Sequence, residues 1–381
     1  MSRSCRPARA ADERAAHRAG RSGAEAGRRR GLAGAVAVVS AAVALCAPTP
    51  YLVEGPGPAI DVLGELEGRQ VLSVAVDAGA DLPVKVEEDG GSGRLDLTTV
   101  MVGGPPTSTT MLPDLVAALL DPGQDLSPRE TVYPTGTTAE EVTRGSSAAM
   151  VSSQQVAVAA ALGELGVDYE SHLVVSEIAE GSRADEVLRS GDVLLRAGDE
   201  PVTGMESLVS VVDASQGHPV RLQIRRDGET STVQVPVAAA PANAGQRWQM
   251  GVYLQRDYDF PVEVEMRLDE IGGPSAGLMF SLAVIDRLTP GEATGGRHIA
   301  GTGTVTEAGS VGPIGGIAQK VRGARQAGAE VFLAPQDNCA DLDGRVPEGI
   351  TVYAVDTIGT ARAVLRAVAE DSAPDGVRTC G

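Results

Sequence analysis

The chain has 381 residues, 43% hydrophobic and only 3% aromatic, with a formal net charge of −19. That length allows two or three domains with real cores. The charge and the scarcity of stacking side chains exclude nucleic-acid binding.

The charge is unevenly placed. Residues 1–30 hold nine arginines against three carboxylates, a net +6, so the total of −19 leaves −25 on everything after Arg30. Between Gly31 and Val53 there is no charged residue, and Gly31 to Ala47 is rich in Ala, Val and Leu. At ~1.5 Å per residue that run spans roughly 26 Å as a helix, and Pro48 to Val53 extends it across a ~30 Å hydrocarbon core. Residues 31–53 are therefore expected to be one transmembrane anchor. Arg28, Arg29 and Arg30 place residues 1–30 in the cytoplasm as a basic arm and the acidic body outside the cell membrane. The alternative is a cleaved signal peptide, for which Ala42-Val43-Ala44 supplies a small-residue site. Export leaves Cys339 and Cys380 as the pair in the body, since Cys5 is in the arm and Cys46 at the membrane. They are expected to form a disulfide, with two free thiols as the alternative.

Beyond the anchor, Pro50 to Leu63 with Gly55-Pro56-Gly57-Pro58 reads as a turn-rich lead. Val71–Val76 and Leu95–Val102 read as strands. Pro105 to Glu140 reads as loop with one short helix over Leu112–Leu120, and Ala148 to Leu165 has helical periodicity. From Val167 to Pro241 a small β-rich module follows, with a helix at Met205–Asp213 and a hairpin turning at Arg226-Asp227-Gly228. Glu180-Gly181-Ser182-Arg183-Ala184, Arg189-Ser190-Gly191-Asp192-Val193-Leu194 and Gly198-Asp199-Glu200-Pro201-Val202, in that order, resemble a PDZ domain of the bacterial type. The resemblance implies binding of an extended peptide along a strand edge. Ser171, His172, Leu173 and Val174 would lie near its entry, and Leu208, Val211 and Val212 would line the groove. Each of these is equally an ordinary strand or core residue.

Val262–Leu268 alternates like a half-buried strand, and Gly272-Gly273 turns it toward a helix from Ser275 to Leu288, with Pro274 in its first turn. A serine at a helix N-terminus faces unpaired N–H groups able to stabilise an oxyanion. It still needs a base. Lys85 and Lys320 are the only lysines in a chain that otherwise uses Arg. An amine that must lose its proton cannot be replaced by a guanidinium. Lys320 sits on the margin of an apolar stripe made by Ile317, Val321 and Ala324 at helical spacing. A buried amine there would be a general base near neutral pH. The spacing is met equally by a lysine in solvent beside Arg322 and Arg325.

Gly273-Pro274-Ser275-Ala276-Gly277 also fits the G-x-S-x-G elbow, but only His298 follows it. No G-x-x-x-x-G-K-[ST] run and no metal-ligand spacing occurs, so no cofactor is expected. That pentapeptide, then Ala300–Thr306, Val311–Lys320 and Val331–Pro335, resembles the proteolytic domain of the Lon peptidase family. The resemblance implies Ser275 as nucleophile, Lys320 as general base and Thr302 as the residue that holds the lysine amine. Arg94–Thr98 and Ala148–Ala160 resemble the start of the same domain, which implies that the PDZ module is inserted into it. The whole is similar to membrane-anchored, ATPase-free Lon-like PDZ proteins. One departure is Gly272, where many ATP-dependent members have an acidic residue; Asp269 and Glu270 are the candidates to substitute.

The expected fold class is α+β: an N-terminal Lon-like part at 54–166, the PDZ module at 167–241 and the catalytic part at 248–381. The expected function is ATP-independent serine endopeptidase acting on unfolded or flexible segments, with the module recruiting or gating protein substrates. A homo-oligomer is left open. The rival expectation is a non-catalytic envelope scaffold that binds peptides through the module.

Overall fold

The computed structural model describes residues 34–35, 38–40, 42–76, 92–241, 245–268 and 271–381. Helix and strand are mixed, and two six-stranded sheets organise the chain. The first sheet runs, edge to edge, Thr351–Val355, Val331–Pro335, His298–Gly301, Arg94–Gly103, Tyr51–Asp61 and Asp125–Pro128. Its first four strands are parallel, and Tyr51–Asp61 is antiparallel to both its neighbours.

The turn-rich reading of residues 50–63 is wrong for most of that segment, because Tyr51–Asp61 is an eleven-residue strand inside the sheet. Prolines lack the ladder N–H and are tolerated where pairing is interrupted. Here the register with Arg94–Gly103 shifts between Pro56 and Ala59. Gly57 sits at that irregularity, where an added Cβ would lie 2.8 Å from the Thr99 carbonyl carbon.

Helices cover both faces of this sheet. On one face, Ala139–Glu164, Gly277–Leu288 and Ile358–Ala369 share a core with Leu95, Leu97 and Ile299. On the other, Ile317–Ala327 packs on Phe332, Ala334 and Val352. Helix Ala139–Glu164 starts nine residues before the periodic stretch because Thr138 and Glu141 form a reciprocal capping box. Its first turns carry few apolar residues and are largely exposed, so hydrophobic spacing does not reveal them. Cys339 and Cys380 are disulfide-bonded, and Cys380 is buried in the second of these cores.

The second sheet is ordered Glu229–Val235, Val220–Arg226, Val193–Ala197, Glu170–Ile178 and Val252–Asp259, with helix Met205–Ala214 on its own core of Leu173, Leu194, Leu208, Val212 and Leu222. Asp227 and Gly228 both have positive φ, the two-residue turn that matches strand twist. In chain order this sheet lies between helices Ala139–Glu164 and Gly277–Leu288, which pack together in the first core. It also takes in Val252–Asp259, beyond residue 241. Among the described residues no helix is long and apolar enough to cross a membrane. The basic arm 1–30 and part of the 31–53 segment lie outside the described residues.

Candidate active site

Three segments converge at the C-terminal end of strand His298–Gly301. The first is the loop into helix Gly277–Leu288. Gly273 has φ +92°, and Pro274–Ala276 forms a 3-10 turn ahead of the α-helix, so Ser275 sits in that turn rather than at the α-helical N-cap. The turn is pinned on several sides. Gly273 N–H donates to Ser146 O at 3.0 Å and Ser153 Oγ donates to Pro274 O at 3.0 Å. Gly303 N–H donates to Ser275 O at 2.9 Å, and Leu278 N–H to Gly303 O at 3.0 Å. An added Cβ at Gly272 would lie 2.0 Å from Ser146 Oγ and 2.9 Å from Ser146 Cβ, so a side chain there would have to displace Ser146. Asp269 and Glu270 lie outside the described residues.

Thr302 follows the strand and is buried. Its Oγ1 donates to Ser275 O at 2.9 Å. The third segment is helix Ile317–Ala327, which begins at Gly316 in the left-handed region, φ +69°. A Cβ at Gly316 would lie 2.6 Å from Val100 Cγ2, so glycine is needed on both counts. One turn later Lys320, 3% exposed, reaches back between the other two segments. Its Nζ donates to Ser275 Oγ at 2.7 Å and to Thr302 Oγ1 at 2.9 Å. No carboxylate pairs with it among the described residues. Burial alone lowers its pKa to about 8. The alternative of a solvent-facing lysine is thereby removed by packing. Arg322 and Arg325 instead reach the carbonyls of Pro122 and Glu348.

A cavity of about 460 Å³ opens on this cluster, lined by Leu97, Thr98, Val100, Met150, Ile271 and Ser275, among others. Among the described residues no group of His, Cys, Asp or Glu is arranged to hold a metal ion.

The second sheet holds the residues expected near the peptide site. Glu170–Ile178 pairs with Val252–Asp259 along its length, and its Leu173 and Val174 pair with Val193–Ala197 as well, whereas Ser171 and His172 are paired on one side only. Leu173, Leu208 and Val212 are core residues, Val174 is buried, and Val211 packs half-buried against them. Ser171 Oγ accepts from Arg256 at 3.1 Å, while the His172 ring lies 3.7 Å from Glu170. Val252–Asp259 is one of the sheet's two edges, opposite Glu229–Val235, and on it Tyr253, Gln255 and Asp257 are exposed and Leu254, Arg256 and Tyr258 half-buried. Its alternation is visible in the sequence, but its pairing with a segment some 80 residues earlier is not.

Comparison with known proteins finds two families, each matching part of the chain. Residues 269–367 match the family model described as the Lon protease (S16) C-terminal proteolytic domain, and residues 156–237 that of the PDZ domain. Lon protease 1 of Sorangium cellulosum is 42% identical over 98 residues, 24% of this chain and 11% of that protein. Lon protease 1 of Bacillus subtilis is 38% identical over 93 residues, 24% of this chain and 12% of its own length. The chain thus spans about an eighth of these relatives, all within their proteolytic part. The solved PDZ domain of an SdrC-like protein from Listeria monocytogenes is 13% identical, covering 22% of this chain and 85% of that one with a TM-score of 0.20.

Proposed function

We propose that this chain, which carries a Lon-type proteolytic domain and a PDZ domain, is a serine endopeptidase that works through a Ser275/Lys320 dyad without ATP. The observation that carries the reading is the buried Lys320 amine, with no carboxylate partner among the described residues, 2.7 Å from Ser275 Oγ. A lysine used for stability would be paired with a carboxylate or extended to water. This one is desolvated, which favours the neutral amine that a general base requires.

In that form Nζ accepts the Ser275 hydroxyl proton as Oγ attacks the scissile carbonyl. The charge that develops on the carbonyl oxygen meets the first N–H groups of the Pro274–Ala276 turn, which no side chain caps. Lys320, now an ammonium, returns the proton to the leaving amine, and repeats the exchange with water to release the acyl group. Thr302 Oγ1 accepts from Nζ and holds it on the line to Ser275.

The chain contains no phosphate-cradling Gly-Lys-Ser/Thr run, so no step within it draws on a nucleotide. Substrates are then segments already flexible or unfolded, and the PDZ domain recruits or gates them. The apolar run after Arg30, together with a disulfide of the kind found in oxidising compartments, supports a membrane-anchored enzyme with its catalytic body outside.

The test is cleavage of an unfolded model protein by the full chain in detergent, without nucleotide, for wild type, Ser275→Ala and Lys320→Ala. Cleavage by wild type that both substitutions abolish is the expected result. Cleavage that survives either substitution, or that requires ATP, would refute the reading.

A further inference from the structure

Arg256 and Tyr258, on the edge strand Val252–Asp259 of the second sheet, converge on one carboxylate oxygen of the loop that follows Thr304–Val305. Arg256 Nε lies 2.7 Å from Glu307 Oε1, and Tyr258 OH donates to the same atom at 2.8 Å. All three side chains are at least half withdrawn from solvent, where ion pairs are screened less than at the surface. Glu307 lies in the turn between Thr304–Val305 and Val311–Gly312. That hairpin directly follows Thr302 and Gly303, whose Oγ1 and N–H both bond to Ser275 O. The ion pair therefore ties the edge strand to the segment that holds the nucleophile's backbone.

The remaining Arg256 contacts face the other way. Nη1 donates to Ser171 Oγ at 3.1 Å and to Thr203 O at 3.5 Å, just ahead of helix Met205–Ala214. A strand added to the Val252–Asp259 edge alternates its side chains over the same two faces as that strand, so every second one passes the Arg256 side. A carboxylate there finds a planar fork with its Nε already engaged by Glu307. Two carboxylates on one guanidinium repel each other, and bidentate binding of the newcomer displaces the first.

We propose that Arg256 reads an acidic side chain of an extended peptide added along Val252–Asp259, and that this peptide and Glu307 compete for the same guanidinium. The inference rests on the peptide-recruiting reading of the PDZ domain and deepens it. It names the ligand as an acidic extended peptide, and it makes Glu307 a positioning residue for the dyad. The dyad is assembled in the state in which the Arg256–Glu307 contact is closed. Drawing Arg256 away leaves Glu307 held by Tyr258 alone and loosens the hairpin, so occupancy of the edge by an acidic peptide lowers cleavage.

The test uses the full chain in detergent and two fluorescein-labelled heptapeptides, Thr-Val-Thr-Glu-Thr-Val-Thr and its Gln counterpart. Binding is read by anisotropy and cleavage by release of label from an unfolded protein. The Glu peptide is expected to bind wild type about tenfold more tightly than the Gln peptide, the factor that one charge-assisted hydrogen bond supplies. Arg256→Gln abolishes that preference. Glu307→Gln keeps an acceptor for Tyr258 yet frees the guanidinium, so it tightens the Glu peptide and lowers kcat with KM unchanged. Equal affinity of the two peptides for wild type, or a Glu307→Gln protein with unaltered peptide affinity and kcat, overturns the inference. If neither peptide binds, the recruiting reading falls with it. Discrimination between the peptides by a wild type that cleaves nothing supports the binding half and counts against the peptidase reading.

Discussion

Raising the pH from 6 to 10 titrates the group on which the proposed chemistry depends. With the Lys320 pKa at about 8, the fraction present as free amine is about 1% at pH 6, about 10% at pH 7 and about half at pH 8. The kcat/KM for an unfolded substrate, which reports the free enzyme, should therefore rise about tenfold per unit below pH 8 and level off above pH 9. The same shift sets a stability trend. A lysine whose folded pKa is depressed binds fewer protons folded than unfolded between about 8 and 10.5. Stability then increases with pH across that window, and below it the buried ammonium costs about 3 kcal/mol. Lys320→Met removes this cost but leaves Ser275 and Thr302 each without a hydrogen bond worth about 1 kcal/mol. At pH 7 the variant should be inactive yet about 1 kcal/mol more stable, as read by urea unfolding of the full chain in detergent. A flat rate profile between pH 6 and 9, or a Met variant less stable than wild type at pH 7, would show that Lys320 is not a desolvated base.

Other perturbations probe the parts that hold the dyad. Thr302→Val removes the second acceptor of Nζ and the donor to Ser275 O; kcat should fall by about one to two orders of magnitude, the cost of losing one or two positioning bonds, with KM little changed. Gly316→Ala places a Cβ at φ +69° and against Val100; thermal denaturation should show a loss of about 1–3 kcal/mol, and cleavage should drop with it. Cys380→Ser opens the loop closed by the disulfide. It should cost about 2–4 kcal/mol under oxidising conditions, and the difference from wild type should vanish in reductant. Asp96→Asn strips the charge from a fully buried carboxylate that takes Arg94 at 3.2 Å and the His298 ring at 2.7 Å. A loss of about 2 kcal/mol is expected on chemical unfolding.

Much of the candidate site could be read from residue identity. Ser275 in a Gly-Pro-Ser turn before an apolar run and a lysine in a chain that otherwise uses arginine are local signals, set by backbone conformation and by which side chains can change protonation state. Helix Gly277–Leu288 and the hairpin at Asp227-Gly228 are legible for the same reason, since periodicity and turn chemistry act within a few residues. What depended on long-range pairing was not legible. Whether Lys320 faced water or Ser275 was undecided by spacing, because its burial comes from Thr302 and the Ser275 turn, 18 and 45 residues away. Pro56 and Pro58 suggest a turn until the bulge opposite Thr98–Val100 accommodates them in a strand. Ser171 to Val174 are expected near a peptide's entry, and only the long-range pairing of Glu170–Ile178 with Val252–Asp259, far along the chain, decides which strand forms the sheet's edge on that side. The clamp at Glu307 has no local signature at all, since an arginine, a tyrosine and a glutamate gain meaning only when two sheets bring them to one oxygen. Local sequence determines backbone and chemical type; desolvation and strand pairing, which are properties of the packed chain, decide which of those groups can react and which edges remain free.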